Sequence, residues 1–198
     1  MKKSALFLML GAALAAPYSL AAESADSAPA HATSEDAALI AEARQQTMMF
    51  AKDLKDTLMQ GMKSEGPVAA INLCNTEAPE IAVKHSTDGW KIGRTSEKIR
   101  NPDNAPDAWE TEVLASFAER AAAGEDITTL EASKRENGQF RFMKAIPVGG
   151  PCVACHGATL AEPVATKLDS LYPQDKARGY NPGELRGAFT LKYNFEQM

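Results

Sequence analysis

Residues 130–148 read LEASKRENGQFRFMKAIPV. Two extended stretches, 130–135 and 139–148, flank Glu136-Asn137-Gly138. Asn-Gly between alternating segments is the strongest short-range hairpin signal, because both residues tolerate the positive φ of a tight turn. Phe140, Phe142, Ile146 and Val148 then share one face of the second strand. Downstream, Gly187, Phe189, Leu191, Tyr193 and Phe195 alternate with Arg186, Ala188, Thr190, Lys192 and Asn194, the pattern of a last strand. Upstream, Trp90, Ile92 and Arg94 alternate with Lys91 and Gly93 in a short strand after an Asp88-Gly89 turn. Between these strands, the Asn/Pro-rich residues 101–106 lead into a helix carrying Trp109, Val113 and Phe117, with Gly124 as its stop.

The chain before the first strand is helical. From 33 to 63, Leu39, Ala43, Phe50, Leu54 and Leu58 recur at helical spacing, and Met48, Met49, Met59 and Met62 on the same helix are expected in core packing. Gly66 and Pro67 end that helix and open a second, on which Pro67, Ile71, Cys74 and Ala78 share a face, so Cys74 is expected to point inward. Pro79 is expected to break this helix and start another reaching His85, read as a surface residue between Lys84 and Ser86. Helices first and an antiparallel sheet later predict an α+β domain.

With 198 residues, 44% hydrophobic and 24% charged, the chain is long enough for one ordinary globular domain. Lys2 and Lys3, the apolar run from Ala5 to Leu20, and the small residues Ala21 and Ala22 read as a signal peptide over 1–22, with Gly11 and Pro17 interrupting the apolar run. Export to the periplasm, with no stable membrane insertion after cleavage, is the expectation. Residues 23–36, which include a solvated His31, read as a flexible leader, and the domain as 37–198. Without 1–22 the chain has 19 basic against 26 acidic residues, a net charge of −7. That surface repels phosphate backbones, so nucleic acid is excluded as a partner.

Three cysteines are an odd number for an exported protein. Two of them lie in Cys152-Val153-Ala154-Cys155-His156, the pattern of c-type haem attachment. Thiols three residues apart sit about one helical turn apart, can reach two vinyl groups on one porphyrin edge, and carry the adjacent histidine beneath the iron. With three cysteines and three histidines in 198 positions, chance gives this pattern in roughly one chain in a thousand. The competing readings are weaker. A thioredoxin-like pair belongs early in a βαβ unit, whereas this motif follows a hairpin. Tetrahedral zinc needs further ligands, and no second CxxC, CxxH or HxxxH exists; a Cys152–Cys155 disulfide remains a bland alternative. Cys74 is left unpaired, as an inert buried thiol or as a ligand, with His85 and the methionines as other candidates.

Several separated motifs carry a family resemblance: Ala70-Ile71-Asn72-Leu73-Cys74 with Ala78-Pro79, Gly93-Arg94-Thr95-Ser96, Arg100-Asn101-Pro102 with Asn104-Ala105-Pro106, and Trp109-Glu110. Arg141-Phe142, residues 152–157 and Gly183-Glu184-Leu185-Arg186-Gly187-Ala188 follow in order. From about Phe50 to Tyr193 the chain resembles the PAS-like c-type haem domains, long described as a domain of unknown function and also found as input modules of membrane sensor kinases. The resemblance implies a PAS-like twisted antiparallel sheet with flanking helices and a long N-terminal helix. It implies one covalently attached haem c, its iron held by His156 on one side and the Cys74 thiolate on the other. An anionic thiolate favours ferric iron, so a low potential follows.

Trp90, Ile92, Phe140, Phe142 and Ile146 are candidate walls of the apolar slot a haem needs, and Arg94, Arg100 and Arg141 are candidate partners for its propionates. Two functions follow from such a haem. One is electron transfer to a redox partner chosen by the acidic surface; the other is sensing of redox state or a diatomic gas through loss of Cys74, signalled to a separate protein. Peroxidase-like catalysis needs an open distal site, which Cys74 would fill, so the chain is not expected to be an enzyme.

Overall fold

A computed structural model describes residues 34–195. Five helices surround a four-stranded antiparallel sheet, an α+β architecture. Helix α1 (Ser34–Ser64) and helix α2 (Pro67–His85) form a long hairpin, followed by strand β1 (Trp90–Thr95), helix α3 (Ala108–Ala122), and the paired strands β2 (Glu131–Glu136) and β3 (Gln139–Pro147). A single helical turn α4 (Val153–His156), helix α5 (Glu162–Leu171) and strand β4 (Leu185–Asn194) complete the chain. The signal peptide, most of the leader and His31 lie outside the described residues, and α1 begins at Ser34, inside the stretch read as leader. Glu35 and Asp36 suit the positive end of that helix, and Arg135 on β2 pairs with both. Among the described residues no helix is long and apolar enough to cross a membrane.

Strand order is β1-β4-β3-β2, so the last strand sits between the first and the hairpin. Asn137 and Gly138 both adopt positive φ at the β2–β3 turn, as the sequence dictates. Phe140 opposes Tyr193 and Phe142 opposes Leu191, and with Trp90 and Ile92 they pack against Leu39, Ala43 and Phe50 of α1. On the other face Met143, Ala145 and Ala188 pack against Val113, Leu114 and Phe117 of α3. Each face of the sheet therefore has its own helical cover, and β-strand alternation divides the apolar residues between them.

Three local expectations are corrected. Pro79 does not break α2. It lies on the exposed side, while Ala78, Ile81 and Ala82 around it are packed inward, and that packing carries the helix through the missing hydrogen bond. Met48 (67% exposed) and Met49 are not core residues, because the buried stripe of α1 runs through Leu39, Ala43, Thr47 and Phe50 and leaves them off the face. His85 is not a surface residue: its side chain is mostly buried, Nε2 lies 2.9 Å from Asp53 Oδ2, and its ring meets Phe50 edge-on at 5.8 Å.

Helix α5, unassigned in the sequence reading, has Pro163 in its first turn and buries Val164 and Leu168 one turn apart against Ile71 of α2. The β3–β4 pair ends at a register shift between Ile146 and Pro147, where a proline is tolerated. The chain there leaves the sheet at Gly149-Gly150 and enters α4, so the CxxCH turn hangs from the end of the central strand pair, beside α5 and α2.

Candidate functional site

His156 is held on its inner side. Its Nδ1 lies 2.7 Å from the Ala177 carbonyl oxygen, so Nδ1–H donates there and the Nε2 lone pair is left available, the arrangement that prepares a histidine for a metal. Burial, reinforced by the Arg186 and Arg100 charges, pushes its pKa down to about 3 and keeps the ring neutral at ordinary pH. Tyr180 stands edge-on to the imidazole at 6.4 Å, and its backbone N–H donates to the His156 carbonyl. Gly157 completes the turn by donating to the Val153 carbonyl at 2.9 Å; a Cβ at 157 would lie 2.5 Å from that same oxygen.

Cys74 is exposed, which corrects the expectation of an inward, buried side chain. Protein nevertheless surrounds the sulfur closely enough that burial is the main influence on the thiol, raising its pKa, with Arg94 and Arg100 opposing. Accessible yet enclosed describes the wall of a concavity rather than a core. The physical reason is that Ile71 meets α5, whereas at the level of Cys74 the neighbouring groups are Arg94, Arg100 and Tyr172. Cys74 and Cys155 also sense each other electrostatically, so the topology brings the third cysteine of α2 up to the CxxCH turn. All three cysteines are free thiols, and among the described residues no three His, Cys, Asp or Glu side chains gather as a metal-ligand set.

The arginines divide. Arg94, on β1, has its guanidinium pulled down by burial and lies near Cys74 and Tyr172; among the described residues no carboxylate pairs with it. Arg100 is clamped, with Nε on Asp175 Oδ1 (3.2 Å) and Nη2 on the carbonyls of Cys155 (2.6 Å) and Ala177 (3.3 Å). Arg141 is not part of this cluster. Its position on β3 turns it to the α3 face, where Nη2 pairs with Asp107 (2.7 Å) and Glu110 (3.2 Å) and the guanidinium lies 4.4 Å over Trp109. Those carboxylates belong to the protein and already occupy the guanidinium. A recess of about 330 Å³ on that face is lined by Asp107, Trp109, Glu112, Lys134 and Arg141, without a thiol or imidazole.

The residues offered as apolar walls lie in the sheet. Trp90, Ile92, Phe140 and Phe142 are buried in the cluster with Leu39, Ala43 and Phe50 of α1, and the half-buried Ile146 sits at the register shift. Arg186 and Tyr180 escaped the sequence reading as site residues. Arg186 donates to Ser96 Oγ (2.9 Å) and the Lys98 carbonyl, and Arg186 and Lys98 both lie over the Tyr180 ring. Tyr172, at the end of α5, was equally unseen.

A model of the Tll0287-like family, described as Tll0287, matches residues 25–193. The chain belongs to the Tll0287-like family. One solved structure, described as the crystal structure of the cyanobacterial heme-protein Tll0287, is 22% identical, with a TM-score of 0.60 over 84% of this chain and 98% of that one. No curated protein matches. At that identity the likeness is one of fold, and it extends over nearly the whole of that chain.

Proposed function

We propose that this Tll0287-like protein is an exported monohaem c-type cytochrome, a low-potential one-electron carrier without turnover of a substrate. The observation that carries the reading is the His156–Ala177 hydrogen bond: a neutral imidazole with Nδ1 committed and the Nε2 lone pair available, on a turn whose two other functional groups are the thiols Cys152 and Cys155. Those thiols would form the thioether links, His156 would be one axial ligand, and Cys74, on the wall beside Cys155, the other. A haem so held supplies a reversible Fe(III)/Fe(II) couple. The residues do the rest. Arg94, and Arg186 beside it, give an otherwise acidic protein a local excess of positive charge suited to two propionates, and Arg94 favours the thiolate form of Cys74.

The solved relative is described as a heme-protein, which agrees with the group proposed for this chain. The test is production with a c-type maturation system, followed by acid–acetone extraction. Haem should stay with the wild-type polypeptide and be lost from a Cys152→Ser/Cys155→Ser variant; extractable haem in the wild type would reject covalent attachment.

Exposure of Cys74 favours a second reading, a haem-based sensor. A ligand on a solvent-accessible wall of α2 can be displaced, and α2 packs along α1, so its movement has a path to the long helix and to a partner protein. Carbon monoxide binding to the reduced protein would favour the sensor; persistent six-coordination without gas binding would favour the carrier.

A further inference from the structure

Asp175 is an enclosed carboxylate near the site, its side chain 1% exposed. Its Oδ1 accepts from Arg100 Nε (3.2 Å) and from the Ala177 backbone N–H (2.9 Å), and its Oδ2 accepts from Arg178 Nε (2.8 Å). Arg100 in turn spends Nη2 on the Cys155 and Ala177 carbonyls. Ala177 is therefore held at both polar atoms: its N–H by Asp175, its carbonyl by Arg100. That carbonyl is the acceptor of His156 Nδ1–H. The segment has no regular secondary structure of its own, and Lys176 N–H to the Ile99 carbonyl (2.9 Å) is its other backbone tie to the loop that bears Arg100.

We propose that Arg100 and Asp175 are positioning residues for His156, a clamp that fixes the Ala177 carbonyl and the CxxCH backbone relative to each other and so sets how firmly the imidazole is held and how strongly it donates. The inference rests on the haem reading above for its consequence and on the hydrogen bonds alone for its geometry. A planar fork is required because one guanidinium serves a carboxylate and two carbonyls at once; an ammonium, a point donor, cannot span all three. Arg100 and His156 Nδ1 thus meet at one acceptor, the Ala177 carbonyl oxygen.

Arg100→Lys tests this, because it keeps the charge and removes the fork. On the haem-loaded protein two quantities are read: hydrogen–deuterium exchange of the His156 Nδ1 proton by NMR, and the midpoint potential. Exchange should become about tenfold faster, the change expected when roughly one hydrogen bond of protection is lost. The potential should rise, because a loosely held imidazole donates less to the iron. Asp175→Asn, which weakens the same grip from the other side, should move exchange in the same direction and serves if Arg100→Lys does not fold. Wild-type exchange and wild-type potential in Arg100→Lys would overturn the proposal, since a purely coulombic role survives that substitution. If the wild-type chain carries no covalent haem, the functional reading falls, and Nδ1 exchange in the same variants still decides the clamp.

Discussion

A single carbonyl oxygen, that of Ala177, decides which nitrogen of His156 is free. Nothing in a sequence marks such an atom, since any residue supplies a carbonyl. This is why the CxxCH residues 152, 155 and 156 were legible while Ala177, Asp175, Tyr180 and Arg186 were not: the first group is a spacing, the second a product of how a loop returns. Arg94 and Arg100 were picked out by charge, yet only the fold shows that Arg100 is committed to Asp175 and two carbonyls. Gly157 shows what the same scale demands of backbone. With a Cβ at 157 only 2.5 Å from the Val153 oxygen, Gly157→Ala should destabilise the protein by about 1–3 kcal/mol through forced displacement of the turn, measurable in chemical denaturation.

At the scale of elements, the alternation in the hairpin and last strand was readable because each side of the sheet is covered by a different helix, so burial follows the pleat. Cys74 was misread because a helical face was assumed to meet one uniform layer; α2 instead meets α5 at Ile71 and an arginine-lined concavity at Cys74. Helix α5 carried a legible signal, Pro163 followed by Val164 and Leu168 at helical spacing, obscured by the prolines and glycines after it. Two ties between elements make predictions. Arg141 joins β3 to α3 through Asp107 and Glu110, and Glu110 also accepts from Thr190 of β4. Arg141→Gln leaves buried Glu110 poorly compensated and should cost about 3–5 kcal/mol in denaturant unfolding while leaving the haem potential unchanged; a shifted potential would return Arg141 to the propionate site. Asp53 of α1 holds Lys84 and His85 at the end of α2. Hydrogen bonds from Lys84 first, then His85, lower its pKa to about 2, so its stabilising effect is complete above the ordinary value near 3.8 and disappears as pH falls through about 2. Asp53→Asn should therefore lower the melting temperature at pH 6, with the difference from wild type closing as pH falls from 4 to 2.

For the whole molecule, an acidic exterior surrounds a site whose arginines outnumber its carboxylates. Arg100 and Arg178 pair with Asp175 and Asp169, while Arg94 and Arg186 add positive charge without a carboxylate of their own among the described residues, in a chain of net charge −5. A cationic redox partner is attracted by the exterior, and the association rate should fall as ionic strength rises; stopped-flow electron transfer at several salt concentrations reads the slope, and a rate that rises with salt would point to an acidic partner instead. The account turns on whether Cys74 and His156 hold the same iron. The most direct measurement is the low-temperature EPR spectrum of the ferric protein beside its Cys74→Ala variant. A low-spin, thiolate-type signal in the wild type, lost in Cys74→Ala together with a rise in midpoint potential, is the predicted result. An unchanged low-spin spectrum and potential in Cys74→Ala would contradict it.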